Sequence, residues 1–340
     1  VSVDGHLYLD SDQLEVCHPH VGLRVDATDD MTVSASYDAD VISAATIDVR
    51  TSASPRGFAE TRHGLGADVL VAPSSTLRIG GGVSGSFAPD YTSGTAGLRV
   101  AFDDPTRIHT FSLGATGSYA GVGRVGDQSP TGDALSGGLT LAWAAVVSRA
   151  VVVDLTAAGE LSIGYLESPY RFVSIYDRFD PSARLAAPES LPDSRLRGSV
   201  RARLRIAPTD EVFVRAAYRL HADDWGVLGH TVEAELFVVP VSFLTLSASF
   251  RFLGQRAAGF YRGHYESLPL VPELRARDRE LAATTSLAAG VAVELRLPSV
   301  WEGVPAIFAR GEVVHTRLYD TPLLPERLAG VFGVGLSFSR

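Results

Sequence analysis

Five arginines mark where this chain could do chemistry. Arg201, Arg203 and Arg205 alternate with Val200, Ala202, Leu204 and Ile206, so an extended backbone puts the three guanidinium groups on one face and the apolar side chains on the other. The next alternating segment carries Arg215 and Arg219 in the same way. Cations this close repel one another unless water, counterions or carboxylates screen them. Carboxylates are at hand: Asp154 and Glu160 lie in the segment before, Glu233 and Glu235 in the segment after. Two roles fit: a ring of charge that selects solutes by its field, or a ladder of cross-strand ion pairs that neutralises itself and stiffens an interior. The balance of charges favours the ladder. Further polar positions, Arg62, Arg78, Arg99, Arg251, Arg296 and Arg310 against Asp38, Asp40, Asp68, Glu294 and Glu312, have the same mixed character.

Histidines form a second constellation. A first hairpin turning through residues 10–14 would set His6 opposite His18 and Asp4 opposite His20, all on one side, with Cys17 pointing away. Imidazoles beside a carboxylate suit copper or zinc, which makes His6, His18 and His20 the candidate metal ligands. Solvated lining histidines are the simpler reading, and no metal or other cofactor is expected. The run GVGRVG at 121–126 matches a dinucleotide fingerprint in letters only, because that fingerprint needs a parallel strand before it and a helix after it. A lipid-face esterase would need a Ser-His pair with an orienting partner, and His63 and His109 have no evident serine. No catalytic residue is assigned and no enzymatic activity is expected. Long segments at 167–194 and 257–280 concentrate Tyr170, Arg171, Tyr261, His264 and Tyr265, a mixture of aromatic rings and cations that recognition surfaces favour.

The elements that position these groups have a period of two. Thr231, Glu233 and Glu235 oppose Val232, Ala234, Leu236 and Val238; Thr245, Ser247, Ser249 and Arg251 oppose Leu244, Leu246, Ala248, Phe250 and Phe252. Helical spacing is nearly absent, and no amphipathic helix is available to cover so many apolar faces. Pointed outward into lipid, with the polar faces turned to a watery interior, the same pattern closes into one barrel. The chain has 340 residues, 20% charged and 46% hydrophobic, so it is too apolar for disorder. Its longest uncharged runs are too short for a spanning helix. All 30 basic residues are arginine against 39 acidic ones, and a net charge of -9 argues against a nucleic-acid partner. One cysteine excludes a disulfide framework. The strand-like start at Val1 suits a processed, secreted chain.

Connections supply an independent test. Short ones at 28–30, 73–74, 103–105, 148–149, 208–209, 240–241 and 298–303 mostly alternate with longer ones at 50–60, 88–91, 121–132, 167–194, 257–280 and 318–327; the link at 223–224 is a short exception among the long ones. With residues 1–9 as the first strand, the count is sixteen (fourteen as the alternative), all antiparallel and up-and-down, with both termini on the short-turn side. Tyr37, Tyr119, Phe102 and Trp143 sit where interfacial girdles form, and the last strand carries Phe332, Val334, Leu336 and Phe338 outward.

Five motifs occur in order: DADVISAATIDVRTSASP at 38–55, GYLESPYRFVSIYD at 164–177 with PDSR at 192–195, DDWGVLGHTVE at 223–233, AAGFY at 257–261 and ARDREL at 276–281. Together they resemble the proteobacterial outer-membrane family known as domain of unknown function 3570, over almost the whole chain. The resemblance implies an outer-membrane barrel, often encoded near a flavin transferase and a thioredoxin-like lipoprotein, and supplies no catalytic residue. The chain departs from the family's pattern at Gly259 and at the CHPH run of 17–20. The combined expectation is a single barrel domain over 1–340 in a bacterial outer membrane. It would be monomeric, in contact with lipid and lipopolysaccharide, and a porin-like conduit for small polar solutes. The alternative is a plugged, non-transporting scaffold for a surface or periplasmic protein, with a redox or copper connection.

Overall fold

The computed structural model describes residues 1–44, 58–124, 127–180, 182–298, 304–321 and 325–339. Sixteen antiparallel strands close into a barrel. They are β1 (Ser2–Asp10), β2 (Leu14–Thr28), β3 (Met31–Ala44), β4 (Phe58–Ser74), β5 (Leu77–Ala88), β6 (Tyr91–Asp103), β7 (His109–Arg124), β8 (Asp127–Ser148), β9 (Val151–Gly164), β12 (Ser194–Ile206), β13 (Val212–Asp223), β14 (Leu228–Val241), β15 (Leu244–Arg256), β17 (Thr284–Arg296), β18 (Val304–Leu318) and β19 (Glu326–Ser339). Each pairs with its neighbour in sequence within the wall, and β1 closes the ring by pairing with β19, Ser2 opposite Ser337 and Asp10 opposite Ala329. Three short strands lie outside the wall, within the two longest connections: β10 (Phe172–Asp177), β11 (Arg184–Pro188) and β16 (Tyr265–Leu268), in the order β11-β10-β16.

The period-two pattern decides which way each side chain points. Val200, Leu204, Leu236, Leu246, Val291 and Val334 are all exposed, Val291 at 67%, although a folded soluble protein would bury most of them. Such side chains recur on every wall strand and give the barrel the apolar outer face of a transmembrane barrel. Closure leaves the wall no free edge, so every wall strand finds a partner on both sides.

The expected strand count holds, but connection lengths alternate only in part: β5 and β6 are separated by two residues on the expected long side, fewer than separate β6 from β7 or β12 from β13 on the expected short side. One expected loop is corrected. Residues 121–124 and 127–132 continue the β7–β8 ladder, with Val122 opposite Gly132 and Arg124 opposite Asp127. Glycine-rich composition suggests a loop there, but small residues also fit a twisted two-stranded extension beyond the wall. The first four residues of the GVGRVG run, Gly121 to Arg124, therefore belong to β7, and the other two lie outside the described residues. The expected turn at 298–303 and most of the 50–60 connection lie outside the described residues.

Candidate functional site

Lumen-facing charges come together as the alternation requires. Arg201 on β12 pairs with Glu233 on β14, and Arg215 on β13 pairs with Glu235 on β14. Arg205 donates to Asp154 on β9 at 2.8 Å, and Arg197, which the sequence reading left out, takes Glu160. The register explains two of these pairs, Arg197 opposite Glu160 and Arg215 opposite Glu235; Asp154 lies opposite Arg203 but is taken by Arg205 two residues along, and Arg201 reaches past β13 to Glu233. All four expected carboxylates are thus consumed. Arg203 and Arg219 are left without an ion pair among the described residues, and the Nε of Arg203 is buried with no hydrogen-bond partner. Elsewhere on the wall Arg251 meets Glu312 at 2.8 Å and Arg78 meets Asp103 at 2.8 Å.

The first hairpin adopts the register its parity requires: His6 opposite His18 and Asp4 opposite His20. Cys17 points outward and is exposed. The imidazoles are engaged with carboxylates rather than converging on a common point. His18 Nδ1 donates to Asp40 at 2.6 Å, His20 Nδ1 to Asp38 at 2.5 Å, and His6 lies 3.0 Å from Asp4 while stacking on His18 with ring centres 6.2 Å apart. Among the described residues no group of three or more His, Cys, Asp or Glu is arranged to hold a metal ion.

The long-loop end of the barrel carries a cap. Chain leaves the wall at Gly164, whose φ of +110° suits glycine and where a Cβ would lie 2.3 Å from the carbonyl oxygen of Asp133. Two small apolar clusters hold the cap together. One joins Trp225, Val227, Ala258, Tyr261, Ala276, Leu281, Ala282 and the wall residue Leu318. The other joins Val173, Ile175, Ala187 and Tyr265. This corrects the expected recognition surface. Tyr261 and Tyr265 are only 4% and 6% exposed, and the Tyr265 hydroxyl donates to the carbonyl of Phe260 at 3.0 Å while accepting the Ala276 N–H at 3.0 Å. Arg171 is taken up in an ion pair with Asp278 at 2.6 Å. Loop aromatics here build a core because the two connections are long enough to bury them against each other. Of the expected set, His264 alone is strongly exposed, stacked on Tyr176 at 4.6 Å; Tyr170 is half-buried.

Glu189 ties the connections together, a role the sequence reading missed. Its side chain is fully buried and accepts the backbone N–H groups of Arg277 at 2.9 Å and Asp278 at 3.2 Å. Burial pushes the Glu189 carboxyl above its usual range, against the pull of Arg171 at 3.8 Å. Burial also works to lower the Arg171 value, but the carboxylates of Asp278 and Glu189 outweigh it and the value is raised. The firm ion pair is therefore Arg171 with Asp278, while Glu189 serves chiefly as an amide acceptor. On the lumen side, a single helical turn at Arg279–Leu281 bends inward. Arg279 reaches Asp12 in the β1–β2 turn at 2.7 Å, and lumen-facing Gln255 donates to the carbonyls of Glu280 at 2.7 Å and Ala282 at 3.1 Å.

Beneath this turn lies a cavity of about 1000 Å³, lined by Ser199, Arg219, His221, Thr231, Gln255 and Thr316 of the wall and by Arg279 and Glu280 of the cap. Further along the lumen a cavity of about 490 Å³ is bordered by Arg201, Arg215, Glu233, Glu235, Arg251 and Glu312. A smaller one of about 180 Å³ lies against Arg203, Thr110, Ser112 and Thr156. Hydroxyl, guanidinium and carboxylate groups line these spaces together with apolar wall residues.

The family model described as "Protein of unknown function (DUF3570)" matches residues 127–304, more than half of the chain. The chain belongs to this family. No curated protein matches it. Among solved structures it is similar to CdiB from Acinetobacter baumannii, at 9% identity and a TM-score of 0.52, over 98% of this chain and 60% of that one. It is also similar to OccK3 (OpdO) of Pseudomonas aeruginosa, at 7% identity and a TM-score of 0.49, over 99% of this chain and 94% of that one. A third is the siderophore receptor PirA from Pseudomonas aeruginosa, at 10% identity and a TM-score of 0.46, over 98% of this chain and 60% of that one. The chain thus spans 60% of the length of PirA and of CdiB. At these identities the likeness concerns the fold alone.

Proposed function

We propose that this family member is an outer-membrane conduit for small polar solutes, lined by paired charges and narrowed at its outer mouth by the cap. The observation that carries the reading is the cavity of about 1000 Å³ between cap and wall, bordered by hydroxyl, imidazole, guanidinium and carboxylate groups. A barrel of sixteen strands is wide enough for a watery interior, and lumen walls of this chemistry suit hydrated solutes rather than lipids. Lipid and lipopolysaccharide cover the apolar belt, the barrel works as a monomer, and no step of chemistry or bound cofactor is required.

The cap favours a second reading. Arg279 bridged to Asp12, with Gln255 holding Glu280 and Ala282, draws the inward turn across the mouth. A permanently closed mouth would make the protein a scaffold for a surface or periplasmic partner. Planar-bilayer recording separates the two. The conduit gives discrete current steps with the intact chain; silence from protein whose unboiled gel mobility proves it folded overturns the conduit and favours the scaffold.

A further inference from the structure

The outer face of the wall carries little charge, which gives weight to the arginines that do stand on it. Among the described wall strands, the alternation puts only two arginines on lipid-facing positions. Arg256 shares its face of β15 with Phe250 and Phe252, and Arg317 shares its face of β18 with Ile307 and Val313. Both are exposed, and both stand at the cap end of their strands, with β17 alone between those strands. Gly254, two residues below Arg256, lies opposite Thr285, and Thr285 lies opposite Arg317. The two side chains therefore bracket one patch of the rim. Neither is neutralised: Arg256 donates to the carbonyl of Gly226 at 3.2 and 3.3 Å, Arg317 lies 5.4 Å from the centre of the Tyr319 ring, and neither forms an ion pair among the described residues. The carboxylate nearest in register, Glu326 on β19, lies opposite Arg317 but stands 3.9 Å from His315. In the turn after β18, Asp320 accepts the Gly263 N–H at 2.9 Å. Other outward carboxylates lie further round the barrel, Glu15 on β2 and Asp133 on β8, the latter bonded by the Tyr119 hydroxyl at 2.7 Å.

We propose that Arg256 and Arg317 form a binding site for the phosphorylated headgroup of a glycolipid in the outer leaflet, seated on the rim of β15, β17 and β18. This deepens the reading of the outer face as covered by lipid and lipopolysaccharide, and rests on it. A guanidinium on the lipid face is costly at mid-depth, but at the interface it keeps its head among polar groups while its stem lies along apolar surface. There it offers a phosphate two parallel N–H donors, and two arginines on one patch can hold one phosphate from both sides or two phosphates of one headgroup. The contacts to Gly226 and Tyr319 orient the side chains without cancelling their charge. Directly below, on the same three strands, Phe252, Leu287 and Val313 present exposed apolar surface. Cations above and an apolar strip beneath match the two halves of such a lipid. Free inorganic phosphate offers the same oxygens but nothing to cover that strip.

The test is native mass spectrometry of the intact chain in a nonionic detergent, titrated with bisphosphorylated lipid A, with the same lipid stripped of its phosphates, and with inorganic phosphate. The intact chain is expected to retain one bisphosphorylated lipid about tenfold more tightly than the stripped one. Arg256→Gln with Arg317→Gln is expected to abolish that preference, and each single substitution to reduce it. Arg24→Gln, on the lumen face of β2, is expected to leave it unchanged. Unboiled gel mobility verifies that each variant folds. Equal retention of the two lipids by the intact chain overturns the proposal and leaves a wall covered by lipid through its apolar side chains alone. Inorganic phosphate that displaces the lipid at millimolar concentration overturns it in favour of a free-anion site, and an equal loss in the Arg24 variant overturns it in favour of a general charge effect. Retention of neither lipid, by protein that stays dispersed without detergent, contradicts the membrane reading itself and the proposal with it.

Discussion

Wall and cap of this molecule are stabilised by different physics. In the wall, side chains such as Val200, Leu246 and Val291 keep about half of their surface exposed on the outer face, and the backbone ladder joins strand to strand. The cap is a small soluble protein in miniature: Ile175 and Leu281 are fully buried, Glu189 satisfies backbone amides from a distant segment, and three short strands make a sheet of their own. The wall is therefore indifferent to most lumen substitutions but intolerant of charge on its outer face. The cap is intolerant of lost volume and sensitive to protonation.

The largest expected effect breaks the wall. Val200→Arg or Leu246→Arg places a cation in the hydrocarbon and should cost about 2 to 4 kcal/mol at mid-depth, read as a lowered urea midpoint for vesicle-embedded protein. Arg at the lumen position of Ser199 or Ser247 should leave that midpoint nearly unchanged. Next comes the cap core: Ile175→Ala or Leu281→Ala should cost about 2 to 3 kcal/mol of local stability. Hydrogen exchange would register faster opening of β10, β16 and residues 276–282, with wall strands still protected.

Removing Arg279 should have a smaller effect, confined to the mouth. Arg279→Ala breaks the bridge to Asp12, and larger or longer-lived single-channel currents are expected, with the wall's urea midpoint unmoved. Unchanged currents would mean that Gln255 and the packing of Leu281 hold the inward turn without the bridge.

The smallest effect is a pH dependence of cap docking. A carboxyl whose native pKa is raised binds its proton more tightly in the docked state. Its stabilisation is thus complete below the ordinary carboxylate value of 4.5 and is lost as pH rises through the higher native value. Protease protection of the cap should therefore weaken on going from acid toward neutral pH. Glu189→Gln, which keeps an acceptor for the Arg277 amide but cannot ionise, should flatten that dependence.

How much of this was legible in the sequence follows the same division. The wall was, because each strand repeats one instruction every second residue and a tight turn fixes parity; that is why His6 meets His18 and Arg215 meets Glu235. The cap was not. Its contacts join residues far apart in sequence, Glu189 with Arg277 and Ile175 with Tyr265, and no local period announces such pairings. Aromatic residues in long segments read as a surface, whereas Tyr261 and Tyr265 are buried. The ladder extension through 121–124 and 127–132 was hidden because glycine weakens a strand signal without forbidding the strand.

The central claim is that lipid covers one face of each wall strand and water reaches the other. Single cysteines placed at each position from 199 to 205 of β12, in a Cys17→Ser background and in sealed vesicles, test it directly with a membrane-impermeant thiol reagent. The account predicts labelling at the odd positions, Ser199, Arg201, Arg203 and Arg205, and protection at the even ones, Val200, Ala202 and Leu204. Labelling without that alternation, or labelling confined to the even positions, would contradict it.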